Sequence, residues 1–283
     1  MGKLISNTFL ALRPKQWAKN ALLFVAPFAA GVQTITDFLK LAFAFALFSI
    51  ASSIGYVIND LNDVEVDRFH PKKASRPFAA GNLSKGFGYF LVCVLCAVLL
   101  MSFSLVNEIF VMIILLYMTN TFLYTKYTKS IPVIELFAVS LGFILRLVAG
   151  AVILDLTISE WFLIVGGFGA LFVVSAKRLA ELKSANLRVV RKVVSEYSQD
   201  FLNSCISTSI SVSAIAYCLW AFSQEANPLW FELSIFPFVL GLFRYRWLSE
   251  SSMAEAPEDA ILGDKILLKL AITLIGLLSI GIY

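Results

Sequence analysis

Charge is scarce in this chain of 283 residues. Asp, Glu, Lys and Arg together make up 15% of it, where soluble domains carry about 25%. With 59% hydrophobic residues and a mean hydropathy of +0.82, a soluble fold of this length would have to expose large apolar patches. That excludes most soluble enzyme folds, and it excludes disorder. Histidine is almost missing: His70 stands alone, so a histidine-built metal site, or a histidine general base elsewhere, is ruled out. Cysteine is rare too, and Cys93, Cys96, Cys205 and Cys218 all fall in apolar stretches. The Cys93-x-x-Cys96 spacing superficially suggests a redox or zinc pair. It sits among Leu and Val in mid-run, where small buried hydrophobes are expected instead. The net charge of +4 is too small to suggest nucleic acid as a partner.

What the chain does contain is apolar and arranged in runs. A transmembrane helix needs about 20 largely apolar residues. Such runs lie at 20–36, 39–57, 86–105, 109–125, 131–153, 160–176, 204–223, 229–243 and 266–283, the eighth being short. The expected fold class is all-α, a polytopic membrane protein of about nine transmembrane helices in a single domain over 1–283. No internal repeat is evident. Basic residues precede the first apolar run without a small-x-small cleavage site, so that run is read as a retained span. Of the 23 Lys and Arg, all but Lys40 and the intramembrane Arg146 fall on one side. By the positive-inside rule that side is cytoplasmic, with the N-terminus inside and the C-terminus outside. The long loops at 58–85, 177–203 and 244–265 share this face. A transporter would keep polar groups near the midplane. Their clustering at the cytoplasmic mouth favours surface chemistry on a water-soluble reactant.

The second span runs into Asn59-Asp60-Leu61-Asn62-Asp63-Val64-Glu65-Val66-Asp67. At about 100° per residue, Asn59, Asp63, Asp67 and Asp60 share an arc of roughly 100°, with Glu65 on the opposite side. Three carboxylates on one face repel each other unless a cation lies between them. Hard oxygens favour Mg²⁺, which takes one or two carboxylates and completes its shell with substrate phosphates. Asn59, Asp60, Asp63 and Asp67 are therefore the expected catalytic metal ligands. Lys72, Lys73 and Arg76 follow at once, and magnesium with Lys and Arg is the combination that neutralises a diphosphate. His70, between the two groups, is read as a structural or supporting residue.

The spacing Asn59-Asp60-x-x-Asp63-x-x-x-Asp67 at the end of a second helix resembles the first aspartate motif of the UbiA prenyltransferase superfamily. Within it, the segments Arg13-Pro14-Lys15-Gln16-Trp17-Ala18-Lys19-Asn20, His70–Gly81, Gly142-Phe143-Ile144-Leu145-Arg146 with Gly150, and Lys177-Arg178-Leu179-Ala180-Glu181-Leu182 resemble the decaprenyl-phosphate phosphoribosyltransferase branch. Pro257-Glu258 and Asp264 fit the same pattern, and the resemblance covers nearly the whole chain. It implies nine helices around a central cavity open to the cytoplasm and the membrane. It also implies a Mg²⁺-dependent transfer of 5-phosphoribose from phosphoribosyl pyrophosphate to a polyprenyl phosphate, with pyrophosphate released. An aromatic polyprenyltransferase of the same superfamily is the nearer alternative, since it needs the same metal and diphosphate apparatus. A non-enzymatic transporter is the distant one.

The remaining polar groups carry two readings each. Arg13, Lys15 and Lys19, with Gln16 and Trp17 between them, are either interfacial anchors or the binders of a lipid phosphate. Tyr124 and Lys129, with Lys126 and Tyr127, form a similar basic-aromatic belt. Glu135 and Arg146 lie on the fifth span, too far apart along the helix to touch, and Arg146 is read as lining a cavity. Lys177, Arg178 and Glu181 stand where the superfamily usually carries a second aspartate-rich motif, which this chain lacks. An interfacial amphipathic helix would also explain that stretch. Substrate-binding roles are expected for Lys15, Gln16, Lys19, Lys72, Lys73, Arg76, Tyr124, Lys129, Glu135, Arg146, Lys177, Arg178 and Glu181. Membrane lipid is an expected partner, and a homo-oligomer is allowed.

Overall fold

The computed structural model describes residues 2–69, 73–183, 192–250 and 263–283. His70, Lys72, Arg188, Arg191, Pro257 and Glu258 lie outside the described residues. Every regular element among the described residues is helical. These are α1 (Gly2–Ala11), a 3₁₀ segment (Pro14–Phe24), α2 (Val25–Ala29), α3 (Ile35–Asn62), α4 (Val64–Asp67), α5 (Lys85–Ser102) and α6 (Glu108–Lys126). They continue as α7 (Ile134–Val152), α8 (Glu160–Lys183), α9 (Lys192–Ser195), α10 (Gln199–Phe222), α11 (Pro228–Leu248) and α12 (Lys265–Ile282).

Polar caps mark where six of the long helices start. Thr34, Ser84, Asn107, Ser159, Ser198 and Asp264 each accept the backbone N–H three residues on, at 2.7–3.1 Å. Such caps satisfy donors that a helix start otherwise leaves orphaned. α3, α5 with its 3₁₀ extension to Leu105, α6, α7, α8, α10 and α12 are long and apolar enough to cross a membrane. The chain is an integral membrane protein. Of the nine predicted spans, seven fall on these helices. The first falls on the 3₁₀ segment and the short α2, which end at a turn where Gly31 has φ 71°. The eighth falls on α11, whose apolar run is diluted by Glu232, Pro237 and Arg244.

The chain divides into two compact units. The first comprises Met1–Pro27, Gln33–Lys126 and Leu145–Leu156. Its axis is α3, 28 residues and about 42 Å long, packed against α5, α6 and the 3₁₀ segment. At the Asn62 end of α3 a core of Ala11, Val57, Leu61, Val64, Phe78 and Leu83 holds the 73–83 loop onto the helix. Gly150 lets α7 touch the 3₁₀ backbone, since a Cβ there would lie 1.8 Å from the Leu23 carbonyl oxygen. α5 is the least covered of this unit's long helices, with Phe90, Leu100 and Met101 facing outward as a lipid-facing helix requires.

The second unit comprises Phe28–Val32, Tyr127–Ile144 and Thr157–Tyr283. α8 and α10 pack closely, with Gly169 lying against Ser213. Leu136, Phe172, Leu179, Val194, Leu202, Ile206 and Tyr245 build its core. α11 and α12 pair through Gly281, which lies under the Phe231 ring. Arg244 also binds both carboxylate oxygens of Asp264, at 3.2 and 2.6 Å.

Candidate active site

The first aspartate motif spans a break in the helix. α3 ends at Asn62, Asp63 takes φ −96° and ψ 5°, and α4 restarts at Val64. Backbone bonds bridge the break, from Asp63 N–H to Asn59 at 3.0 Å and from Asp67 N–H to Asp63 at 2.8 Å. Asp60 and Asp67 consequently stay on one side, both buried to about 2% exposure, while Asn59 and Asp63 are half-buried.

Three cationic side chains close on these two carboxylates. Arg76 Nη1 donates to Asp60 Oδ1 at 3.1 Å and to Asp67 Oδ2 at 2.5 Å. Lys73 Nζ lies 3.7 Å from Asp67 Oδ1. Arg13 Nη2 donates to the same Asp60 Oδ1, its guanidinium lying over the Tyr56 ring. The chain geometry explains both arginines. Arg13 takes the left-handed conformation, φ 54°, just before Pro14, which ends α1 and starts the 3₁₀ segment. Arg76 sits in a loop pinned by Ala80 N–H to its own carbonyl at 2.8 Å and by Phe78, buried against the core.

The other predicted residues of this unit lie around that centre. Lys15 is exposed, and Lys19 donates to Gln16 at 2.7 Å on the half-buried face of the 3₁₀ segment. Trp17 between them donates to Ser53 at 3.0 Å, fixing the segment on α3. Tyr124 is half-buried near the end of α6. Arg146 is buried; Nε donates to Asn20 at 2.7 Å and Nη2 to the Tyr117 hydroxyl at 2.9 Å. Asn20 in turn donates to Ser49 at 3.1 Å. This chain of polar groups satisfies the guanidinium within the span and ties four segments together.

The second unit carries its own ion cluster. Arg178 grips Glu135 with Nε and Nη2, each at 2.7 Å, and reaches Glu181 with Nη1 at 2.7 Å. Glu135 is fully buried. The Tyr197 hydroxyl accepts the Val133 N–H at 2.7 Å and lies 3.5 Å from Glu135. Burial pushes the Tyr197 phenol up to about 12, opposed by the Val133 N–H and aided by the Glu135 charge. Lys177 is half-buried on α8, four residues before Glu181, and Lys129 is half-buried in the turn before Ile131.

The donor set of the first unit fits a hard divalent cation. Asp60 and Asp67, from two helices, already converge on one cationic nitrogen, as two carboxylates sharing a cation must. Among the described residues no three His, Cys, Asp or Glu side chains gather, so the expected arc of Asp60, Asp63 and Asp67 is not drawn together as a three-carboxylate cluster. The sequence pattern groups Arg13 with an anchor or lipid-phosphate belt and points to no role for Tyr197, Tyr117 or Asn20. The Arg13-Pro14 junction was the one local sign of a fixed turn; the partners of Arg146 left none.

A model of the UbiA prenyltransferase family matches residues 21–271. Decaprenyl-phosphate phosphoribosyltransferase of Corynebacterium glutamicum is 35% identical, over 99% of this chain and 88% of the relative. The enzyme of that name from Mycobacterium tuberculosis is 34% identical, over 96% of this chain and 93% of its own. Among solved structures, a UbiA homologue from Archaeoglobus fulgidus bound to GPP and Mg²⁺ matches with a TM-score of 0.70. That match covers 95% of this chain and 96% of the other at 16% identity, and so speaks for the fold alone.

Proposed function

Because this chain belongs to the UbiA prenyltransferase family, we propose that it is a single-domain transferase moving 5-phosphoribose from phosphoribosyl pyrophosphate to a polyprenyl phosphate. The observation that carries this reading is the near-full-length identity of about 35% to phosphoribosyltransferases of that kind. In the reaction the ribose C1–oxygen bond to pyrophosphate breaks, and a C1–oxygen bond to the lipid phosphate forms. Pyrophosphate leaves with the bonding electron pair. The acceptor is already an anion, so no strong general base is required, in keeping with a chain that has one histidine.

Asn59, Asp60, Asp63 and Asp67 would hold Mg²⁺, which when bound neutralises the diphosphate and makes it a better leaving group. Arg76 and Lys73, already at the carboxylates, offer charge-assisted donors to the same phosphates, and Lys72 adds a third. The aspartates also place negative charge near the positive charge that develops at C1. Lys15, Gln16 and Lys19 would take the lipid phosphate, with Tyr124 of the same unit as a further substrate-binding residue; Lys129, in the second unit, is proposed as substrate-binding on its own. The Glu135–Arg178–Glu181 cluster would hold Lys177 in position, and Arg146 would fix the 3₁₀ segment that carries Lys15 and Lys19. The strong bias of Lys and Arg to one face supports a cytoplasmic site, with the N-terminus inside and the C-terminus outside. Membrane lipid supplies the acceptor, and a homo-oligomer is compatible with the exposed apolar helices.

The test is direct. Membranes carrying the protein are given Mg²⁺, polyprenyl phosphate and labelled phosphoribosyl pyrophosphate, and lipids are extracted. Labelled lipid is expected. Prenylation of a hydroxybenzoate with no labelled lipid would overturn the reading.

A further inference from the structure

The polarity of α1 is reversed for a helix on a water-facing surface. Its large apolar side chains are Leu4, Ile5, Phe9 and Leu10, and they are exposed by 49%, 66%, 51% and 56%. The better covered residues are small or polar: Ala11 is buried, and Asn7 and Thr8 are half-buried. A surface helix in water does the opposite and lays its apolar stripe on the core. The helix is nonetheless fixed to the fold. Ala11 joins the core at the Asn62 end of α3. The Leu12 carbonyl accepts from the Ser53 hydroxyl of α3 at 3.0 Å. Phe9 meets the Trp17 ring edge-on, with centroids 6.0 Å apart, and Trp17 is itself bonded to Ser53. Charge around α1 is of one sign. Residues 1–36 hold Lys3, Arg13, Lys15 and Lys19 but no acid, the first being Asp37. Arg13 is bonded to Asp60, and Lys19 to Gln16. Lys3 and Lys15 are exposed, and neither has a partner among the described residues.

We infer that α1 lies in the plane of the bilayer interface and is a binding site for anionic membrane lipids. Acyl chains take Ile5, Phe9 and Leu10, and lipid phosphates take the ammonium groups of Lys3 and Lys15. An in-plane helix of this kind sinks its apolar side chains about 5–10 Å into the headgroup boundary. Each lysine near an anionic surface adds to the attraction. Trp17 suits the same depth, since an indole prefers the boundary between headgroups and chains. The charge pattern selects this cover over a protein one. A second copy meeting this face across a two-fold axis would set lysines against lysines, and a plain apolar helix would leave them unpaired. The site stands apart from the transfer reaction and holds whatever that reaction is. Its consequence is positional: through Trp17 and Ser53, a seated α1 holds the Pro14–Phe24 segment at headgroup level.

The test is amide hydrogen exchange of the full-length protein in lipid nanodiscs holding one chain each. One set of discs is phosphatidylcholine alone, and the other adds phosphatidylglycerol. Exchange across residues 2–11 is expected to be about tenfold slower with the anionic lipid. High salt is expected to shrink that gain, because it screens surface charge. Ile5→Asp combined with Phe9→Asp is expected to speed exchange there in both lipids. Lys3→Gln is expected to reduce only the gain from phosphatidylglycerol. Exchange across α3 is the internal standard and stays constant throughout; if the double variant disturbs it, Leu10→Asp takes its place. Equal exchange of residues 2–11 in the two lipids would overturn the site. So would slow exchange confined to discs that hold two chains, which would make a second copy the cover.

Discussion

Arg178 and Glu135, 43 residues apart in sequence, form a two-point ion pair with both bonds at 2.7 Å and both side chains buried. Glu181 takes the remaining face of the guanidinium at 2.7 Å. Removing one partner of such a pair leaves an uncompensated buried charge. Arg178→Ala is therefore expected to destabilise the protein by about 3–5 kcal/mol, measured as a fall in Tm in detergent. Replacing Arg178 and Glu135 together by apolar residues of similar volume is expected to recover most of that loss. A single variant as stable as wild type would contradict the pairing.

Tyr197 protects a strained turn. Val133, a β-branched residue, has φ 67°, a conformation that costs energy, and its N–H is bonded to the Tyr197 hydroxyl. Tyr197→Phe leaves that N–H without its acceptor, at an expected cost of about 1–3 kcal/mol. Val133→Gly in the same background is expected to restore part of the loss by relieving the backbone.

Gly150 is a packing requirement. A methyl group there would collide with the backbone at Leu23, which has no side-chain freedom with which to yield. Gly150→Ala is expected to lower stability by about 1–3 kcal/mol. Gly86→Ala, where the nearest neighbour of the added methyl would be the Ser84 hydroxyl at 4.0 Å, is expected to leave Tm unchanged or raise it, since alanine is the better helix former.

The proposed function makes activity depend on the paired aspartates. Asp60→Asn and Asp67→Asn are each expected to lower transfer by about 10²-fold or more, with membrane insertion unchanged. Labelled-lipid formation at saturating Mg²⁺ is the measurement, and wild-type rates in both would remove these residues from the reaction.

Asp264 makes one part of the stability pH-dependent. Its bonds to Arg244, first, and to the Leu267 N–H hold its carboxyl below the ordinary 3.8. A carboxyl lowered on folding stabilises fully above its unfolded value and loses that contribution as the pH falls through the folded one. Tm is expected to drop below about pH 4, and Asp264→Asn, which keeps a capping oxygen, is expected to flatten part of that drop.

The helical membrane fold was legible because its signal is local. A span is a run of apolar side chains, and seven of the nine predicted runs are long apolar helices. The departures came where neighbours in sequence compete. Pro14 and Gly31 bound a segment that the apolar count alone read as a uniform span, and Asp63 interrupts an arc that ideal helix geometry treats as continuous. Asp60, Asp67 and Arg76 could be grouped from spacing because they lie within 16 residues. Arg13 reaches Asp60 across 47 residues, and Arg146 reaches Asn20 across 126. No periodicity reports contacts of that length.

The scarcity of charge divides the same way. Sequence by itself determined that this is a helical membrane protein with most of its acidic and basic residues gathered outside its apolar runs, because hydropathy and helical period depend only on neighbouring side chains. Tertiary structure decided which charges neutralise which. In an apolar interior each ion must find a counter-ion or a hydrogen-bond partner wherever the chain brings one. That is why Arg13 faces Asp60, Arg178 faces Glu135, and Arg146 is satisfied by an amide and a phenol.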